Sequence, residues 1–222
     1  MKNLTKWLAI ATMAGSLATA SAAAAADTVD WVDWTSRTTA TTILGTITSG
    51  ATSVGVQYDG DLLFAQIVPA APIDYWVDLG YTQGLVNRPT GNDIIALDAA
   101  GLKTITFSQA VVDPYLAFTS WNGNTVGFSA PFSVVSQGAG YWGTGTFAPN
   151  LASDGFFGNG EVHGVLKFSG TFTSLSFTDS GENWHGFTVG IGSVPEPATW
   201  ALMIMGFGSV GAVIRRRRPA LA

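Results

Sequence analysis

Apolar and polar residues alternate with period two in short runs along the middle of this 222-residue chain, and the runs stop at glycine, proline or asparagine. Ile105-Thr106-Phe107-Ser108 and Phe172-Thr173-Ser174-Leu175-Ser176-Phe177 show the alternation most cleanly, the pattern of a strand with one face buried. The runs predict strands over 43–48, 53–58, 103–108, 115–119, 132–135, 141–147, 162–169, 172–178 and 186–191. Asp59-Gly60-Asp61 and Ser169-Gly170-Thr171 read as hairpin turns. Outside the two ends, no window of a dozen residues keeps a helical period. Gly, Thr, Ser, Val and aromatic residues dominate, while Leu, Lys and Glu are scarce, which is strand-and-turn composition. The expectation is an all-β fold: a single antiparallel β-sandwich, jelly-roll-like.

The two ends follow other rules. Lys2 and Lys6 precede an apolar stretch over 7–17 and a small-residue stretch over 18–26 with several Ala-x-Ala sites. This is the layout of a secretory signal helix, cleaved after Ala24 or Ala26. At the other end Pro195 and Pro197 fix φ and lack a donor, so they belong to no strand or helix. The 17 uncharged residues 198–214 then reach Arg215-Arg216-Arg217-Arg218. As a helix this segment is roughly 25 Å long, a marginal membrane span. Trp200 suits the interface, and the arginines stay cytoplasmic. The expected division is therefore a signal peptide at 1–26, a sandwich ectodomain at 27–193 and a sorting tail with a transmembrane helix at 194–218.

Pro195, Glu196, Pro197, Trp200 and Ala201, the Gly-Phe-Gly at 206–208 and the cluster Arg215, Arg216, Arg217, Arg218 resemble the PEP-CTERM sorting domain in its PEPxxWA subtype, typical of exopolysaccharide-producing Gram-negative bacteria. The resemblance implies recognition by a membrane-embedded exosortase, removal of the tail near the Pro-Glu-Pro motif, and an ectodomain released or attached at the cell surface. Trp31-Val32-Asp33-Trp34-Thr35, residues 104–108, Val112-Asp113-Pro114, residues 161–168 and residues 186–190 are similar to a type recurrent in alphaproteobacterial proteins with this tail. That type implies a fold and no catalytic residues.

Charge narrows the partners. Between 27 and 193 there are four bases, Arg37, Arg88, Lys103 and Lys167, against fourteen acids, a net charge of about −10 that the whole-chain value of −5 conceals. Phosphate contacts need Lys and Arg, so no nucleic acid is expected as a partner. The chain has no cysteine, which excludes disulfides and thiol catalysis. It also lacks the Gly-x-Ser-x-Gly, zinc-protease and phosphate-loop motifs, and a non-catalytic protein without cofactor is the expectation.

Two sets of residues carry candidate chemistry. Glu161 and His163 lie two apart and share a strand face. With Glu182 and His185 they form a possible metal-ligand set, against a buried, hydrogen-bonded histidine and a turn-capping Glu161. Trp121, Tyr141, Trp142, Trp184 and Tyr75-Trp76 are either sandwich core or a platform for sugar rings. Trp121, Asn122 and Trp142 are the candidate ligand contacts, because Trp121-Asn122-Gly123-Asn124 reads as a loop tip. The functions expected are an exported surface or matrix protein associated with exopolysaccharide and biofilm, or a lectin-like module, with a secreted glycan hydrolase third.

Overall fold

The computed structural model describes residues 26–67, 73–77, 79–85, 87–91, 93–193 and 203–209. The described strands are β1 Val29–Trp31, β2 Asp33–Arg37, β3 Thr42–Ser49, β4 Thr52–Asp59, β5 Phe64–Gln66, β6 Ile94–Leu97, β7 Gly101–Val112, β8 Tyr115–Trp121, β9 Thr125–Phe128, β10 Phe132–Gln137, β11 Gly145–Pro149, β12 Gly155–Gly160, β13 Val162–Phe168, β14 Thr171–Asp179 and β15 His185–Gly192. They form two sheets in which every pairing is antiparallel. One has seven strands in the order β10-β13-β8-β15-β6-β5, with β1 also on β15; the other has eight, β11-β12-β9-β14-β7-β4-β3-β2. From β6 to β11, and again from β12 to β15, consecutive strands alternate between the sheets.

The main core lies between the sheets. Ile43, Ile47, Val54, Val56, Ile105, Phe107, Leu175 and Phe177 from one sheet meet Leu116, Phe118, Leu166, Phe187 and Val189 from the other. The outer face of the eight-stranded sheet carries mainly polar side chains, with Leu102, Val112 and Phe157 also exposed, so its central strands keep the alternation seen in the sequence: β14 is buried at Leu175, Phe177 and Asp179, with Ser174 and Thr178 exposed. The seven-stranded sheet is buried on both faces, and β8 has no exposed position along its length. Its outer cover is the segment between β5 and β6, with Tyr75, Trp76, Tyr81 and Leu85 packed on Ile94, Tyr115, Ala117 and Val165.

Two turn expectations change. Residues 169–171 join β13 to β14, which belong to different sheets, so they form a crossing and no hairpin. Gly170 makes the bend with φ 136°, and its N–H donates to Asp113 Oδ1 across the corner. Asp59-Gly60-Asp61 likewise leads from β4 to β5 in the opposite sheet. Asp59 accepts from Thr42 and Gln57, and Asp61 accepts from the N–H groups of Asp98 and Ala99. The strand expected over 141–147 begins only at Gly145, because residues 138–143 lie across β13 instead. The signal segment is described only at Ala26. The tail is described only at 203–209, which is helical with exposed side chains. Pro195, Glu196, Pro197, Trp200, Ala201 and Arg215, Arg216, Arg217, Arg218 lie outside the described residues. Among the described residues no helix is long and apolar enough to cross a membrane.

Candidate functional site

Four connections meet at one rim of the sandwich: β6–β7, β8–β9, β12–β13 and β14–β15. The rim is organised by a β-bulge in β8. Val162 pairs with Trp121 and Gly164 with Phe118, so Thr119 and Ser120 together face His163. Ser120 takes up the extra residue in the left-handed region, with φ 58°. A bulge of this kind reverses which face the following side chains occupy. Without it Trp121 would share the outer face of Ala117 and Thr119. With it Trp121 turns into the core at 0% exposure, packs on Phe118, Phe156 and Phe177 and donates its indole N–H to the Gly186 carbonyl at 2.8 Å. Trp121 therefore contacts no external ligand, a correction to the sequence-based expectation.

Asn122, the next residue, does stand at the rim. Its backbone N–H donates to Glu182 Oε1 at 2.9 Å and its Nδ2 to Glu161 Oε1 at 3.0 Å. Ser120 Oγ donates to Glu161 Oε2 at 2.6 Å. Asn122 thus holds two carboxylates side by side. Burial pushes the Glu182 carboxyl up to about 8; the N–H of Asn122 opposes this, and the neighbouring charges of Glu161 and Asp179 add to it. Behind Glu182, His185 is fully buried. Its Nε2 lies 2.9 Å from Asp179 Oδ2, and its Nδ1 has no hydrogen-bond partner and faces Glu182 Oε1 at 3.7 Å. Asp179 also accepts from the fully buried Lys103 at 2.6 Å, and Lys103 pairs with Asp61 at 2.8 Å. Two carboxylates and the Ala99 carbonyl compensate this ammonium, which inside a core is otherwise very costly.

His163 lies on the outer face. Its Nδ1 is within 3.0 Å of Tyr81 Oη and 3.1 Å of Thr119 Oγ1, and Gly140 packs so closely on the ring that a Cβ there would come within 2.2 Å of it. Glu161 and His163 both meet Ser120, the first at its hydroxyl and the second near its N–H. Among the described residues no group of three or more His, Asp or Glu is arranged to hold a metal ion.

The loop over His163 carries Tyr141 and Trp142, 45% and 44% exposed. Trp142 stacks on Tyr75 with ring centroids 5.4 Å apart and 17° between planes, and lies 4.4 Å from Trp184. Tyr141 meets both Tyr75 and Trp142. These four rings carry the outer core of the seven-stranded sheet out to the surface. They adjoin the carboxylates: a Cβ on Gly143 would lie 3.8 Å from Glu161 Cγ, and Trp184 is two residues from Glu182. All four rings stand out in the sequence as aromatic residues, but nothing in the sequence joins them. Lys103 and Asp179 do not stand out there, although a signal exists: each is in phase with the inward residues of its strand, Ile105 and Phe107 or Leu175 and Phe177. A separate concavity of about 600 Å³ opens beside β9–β12, lined mainly by Phe128, Pro131, Phe132, Phe147 and Phe156.

A family model described as the PEP-CTERM protein-sorting motif matches residues 193–218. That motif is the recognition signal for an exosortase and marks a membrane-anchored precursor processed for export to the cell surface. No curated protein and no solved structure matches the chain.

Proposed function

We propose that the chain is a non-catalytic protein of the cell surface or extracellular matrix, which holds exopolysaccharide on the aromatic patch of Tyr75, Tyr141, Trp142 and Trp184. Residues 1–26 direct export, residues 198–214 anchor the precursor in the membrane, and an exosortase reads the PEPxxWA tail and removes it. The observation that carries the reading is the pair of exposed rings, Tyr141 and Trp142, packed on the buried Tyr75 and half-buried Trp184 beside hydrogen-bonding carboxylates. Exposed apolar patches rimmed by polar groups mark interaction surfaces. Flat rings with polar neighbours suit sugars, which present apolar C–H faces and hydroxyl edges together. Asn122, Glu161 and Glu182 supply the polar neighbours, and Asn122 and Trp142 keep the ligand-contact roles.

Two measurements test this. Mass spectrometry of protein recovered from the producing cells should find a chain lacking residues 1–24 or 1–26 and ending near Pro195; an intact tail counts against sorting. Exopolysaccharide from the same cells should retain the protein, and Trp142→Ala should abolish retention. Equal retention of the variant counts against the patch.

A further inference from the structure

The patch is built to attract positive charge as well as sugar rings. Beside the rings stand the carboxyl groups of Glu161 and Glu182, held by Asn122 through its side-chain amide to Glu161 and its backbone N–H to Glu182. Glu161 and Glu182 stand together with no cation beside them: the nearest lysine, Lys103, is sealed in the core against Asp61 and Asp179. The buried Nδ1 of His185 points the same way. It has no hydrogen-bond partner and lies 3.7 Å from Glu182 Oε1, while Nε2 lies 2.9 Å from Asp179. The exposed rings of Tyr141 and Trp142 offer the negative side of their quadrupoles to an ammonium group, a favourable arrangement when the cation is partly desolvated. The surrounding domain, with four bases against fourteen acids, has the same sign.

Resting on the glycan reading above, we propose that the preferred ligand is a glycan bearing free amino groups, with a sugar ring stacked on Trp142 and its ammonium held between Glu161, Glu182 and the aromatic faces. A neutral hydroxylated glycan would use the rings and leave the paired carboxylates uncompensated. Burial is the main cause that raises the Glu182 carboxyl to about 8, and the charges of Glu161 and Asp179 add to it, so a cation at the site lowers it.

The test compares a β-1,4-linked glucosamine hexamer carrying free amines with its fully N-acetylated counterpart. Both are titrated calorimetrically into the full chain at pH 6 in low salt, where Glu182, raised to about 8, holds its proton until the ammonium displaces it. The amine form should bind at least about tenfold tighter, a difference of about 1.4 kcal/mol. The preference should shrink in the isosteric variants Glu161→Gln and Glu182→Gln, whose melting temperatures show that they fold, while their binding of the acetylated form persists. Equal binding of the two hexamers, both lost in Trp142→Ala, overturns the amine preference and leaves the platform standing. A preference that survives in the Glu161→Gln/Glu182→Gln double variant comes from the overall charge and also overturns it. Binding of neither hexamer overturns the platform reading and this inference with it.

Discussion

The two sheets treat their outer faces differently. The eight-stranded sheet turns Thr104, Thr106, Ser174 and Ser176 outward, paired across β7 and β14, and leaves them to water. The seven-stranded sheet is roofed by the segment between β5 and β6, and the roof ends in the aromatic rings beside Glu161 and Glu182. A bare polar face needs only regular alternation. A covered face carries a bulge at Ser120 and a loop laid over His163, and these irregularities assemble the candidate site.

Substitutions should separate the two regions most strongly where the covered sheet meets its rim. Trp121→Ala empties a large buried volume and should cost about 3–5 kcal/mol in chemical denaturation; a loss below about 1 kcal/mol would mean that the bulge does not seat Trp121 in the core. Asp179→Ala leaves Lys103 and His185 without their shared carboxylate and should cost about 3 kcal/mol or more, with Asp179→Asn the milder variant.

A pH effect should follow. Glu182 has its pKa raised on folding from 4.5 to about 8, so between those values the folded state binds more protons than the unfolded chain. Stability therefore falls as pH rises through that window. Glu161, Asp179 and His185 are the charged or titratable groups that face Glu182. In Glu182→Gln the melting temperature should decline less between pH 5 and 8 than in the parent, and parallel profiles would contradict the raised pKa. Smallest of all, Thr106→Ala on the bare face should change stability by no more than about 0.5 kcal/mol and leave glycan binding untouched.

Much of the eight-stranded sheet was legible in the sequence because one face is wet: β3, β4, β7 and β14 keep the alternation that identifies them. In β12, Gly-Phe-Phe-Gly-Asn-Gly reads as a turn, yet it pairs with β9 and β11, and Gly158 lies where a Cβ would come within 2.1 Å of the Trp121 carbonyl oxygen. The short strands β5 and β6 are defined by pairing across the covered sheet and have no local period to read. Trp121 reads as a loop tip in the sequence because no residue type at Ser120 announces the bulge that carries β8 on to Trp121 and turns it into the core. Asn122 and Trp142 were found as candidate contacts, yet their convergence with Glu182, 40 or more residues away in the chain, depends on the crossing pattern of the strands.

The most direct measurement is affinity electrophoresis of the full chain through gels containing the producing cell's exopolysaccharide, with Trp142→Ala and Thr106→Ala run alongside. The account predicts that the parent and Thr106→Ala are retarded equally while Trp142→Ala, folded to the same melting temperature within a few degrees, migrates as in a gel without polysaccharide. Equal retardation of all three, or retardation lost only in Thr106→Ala, would contradict it.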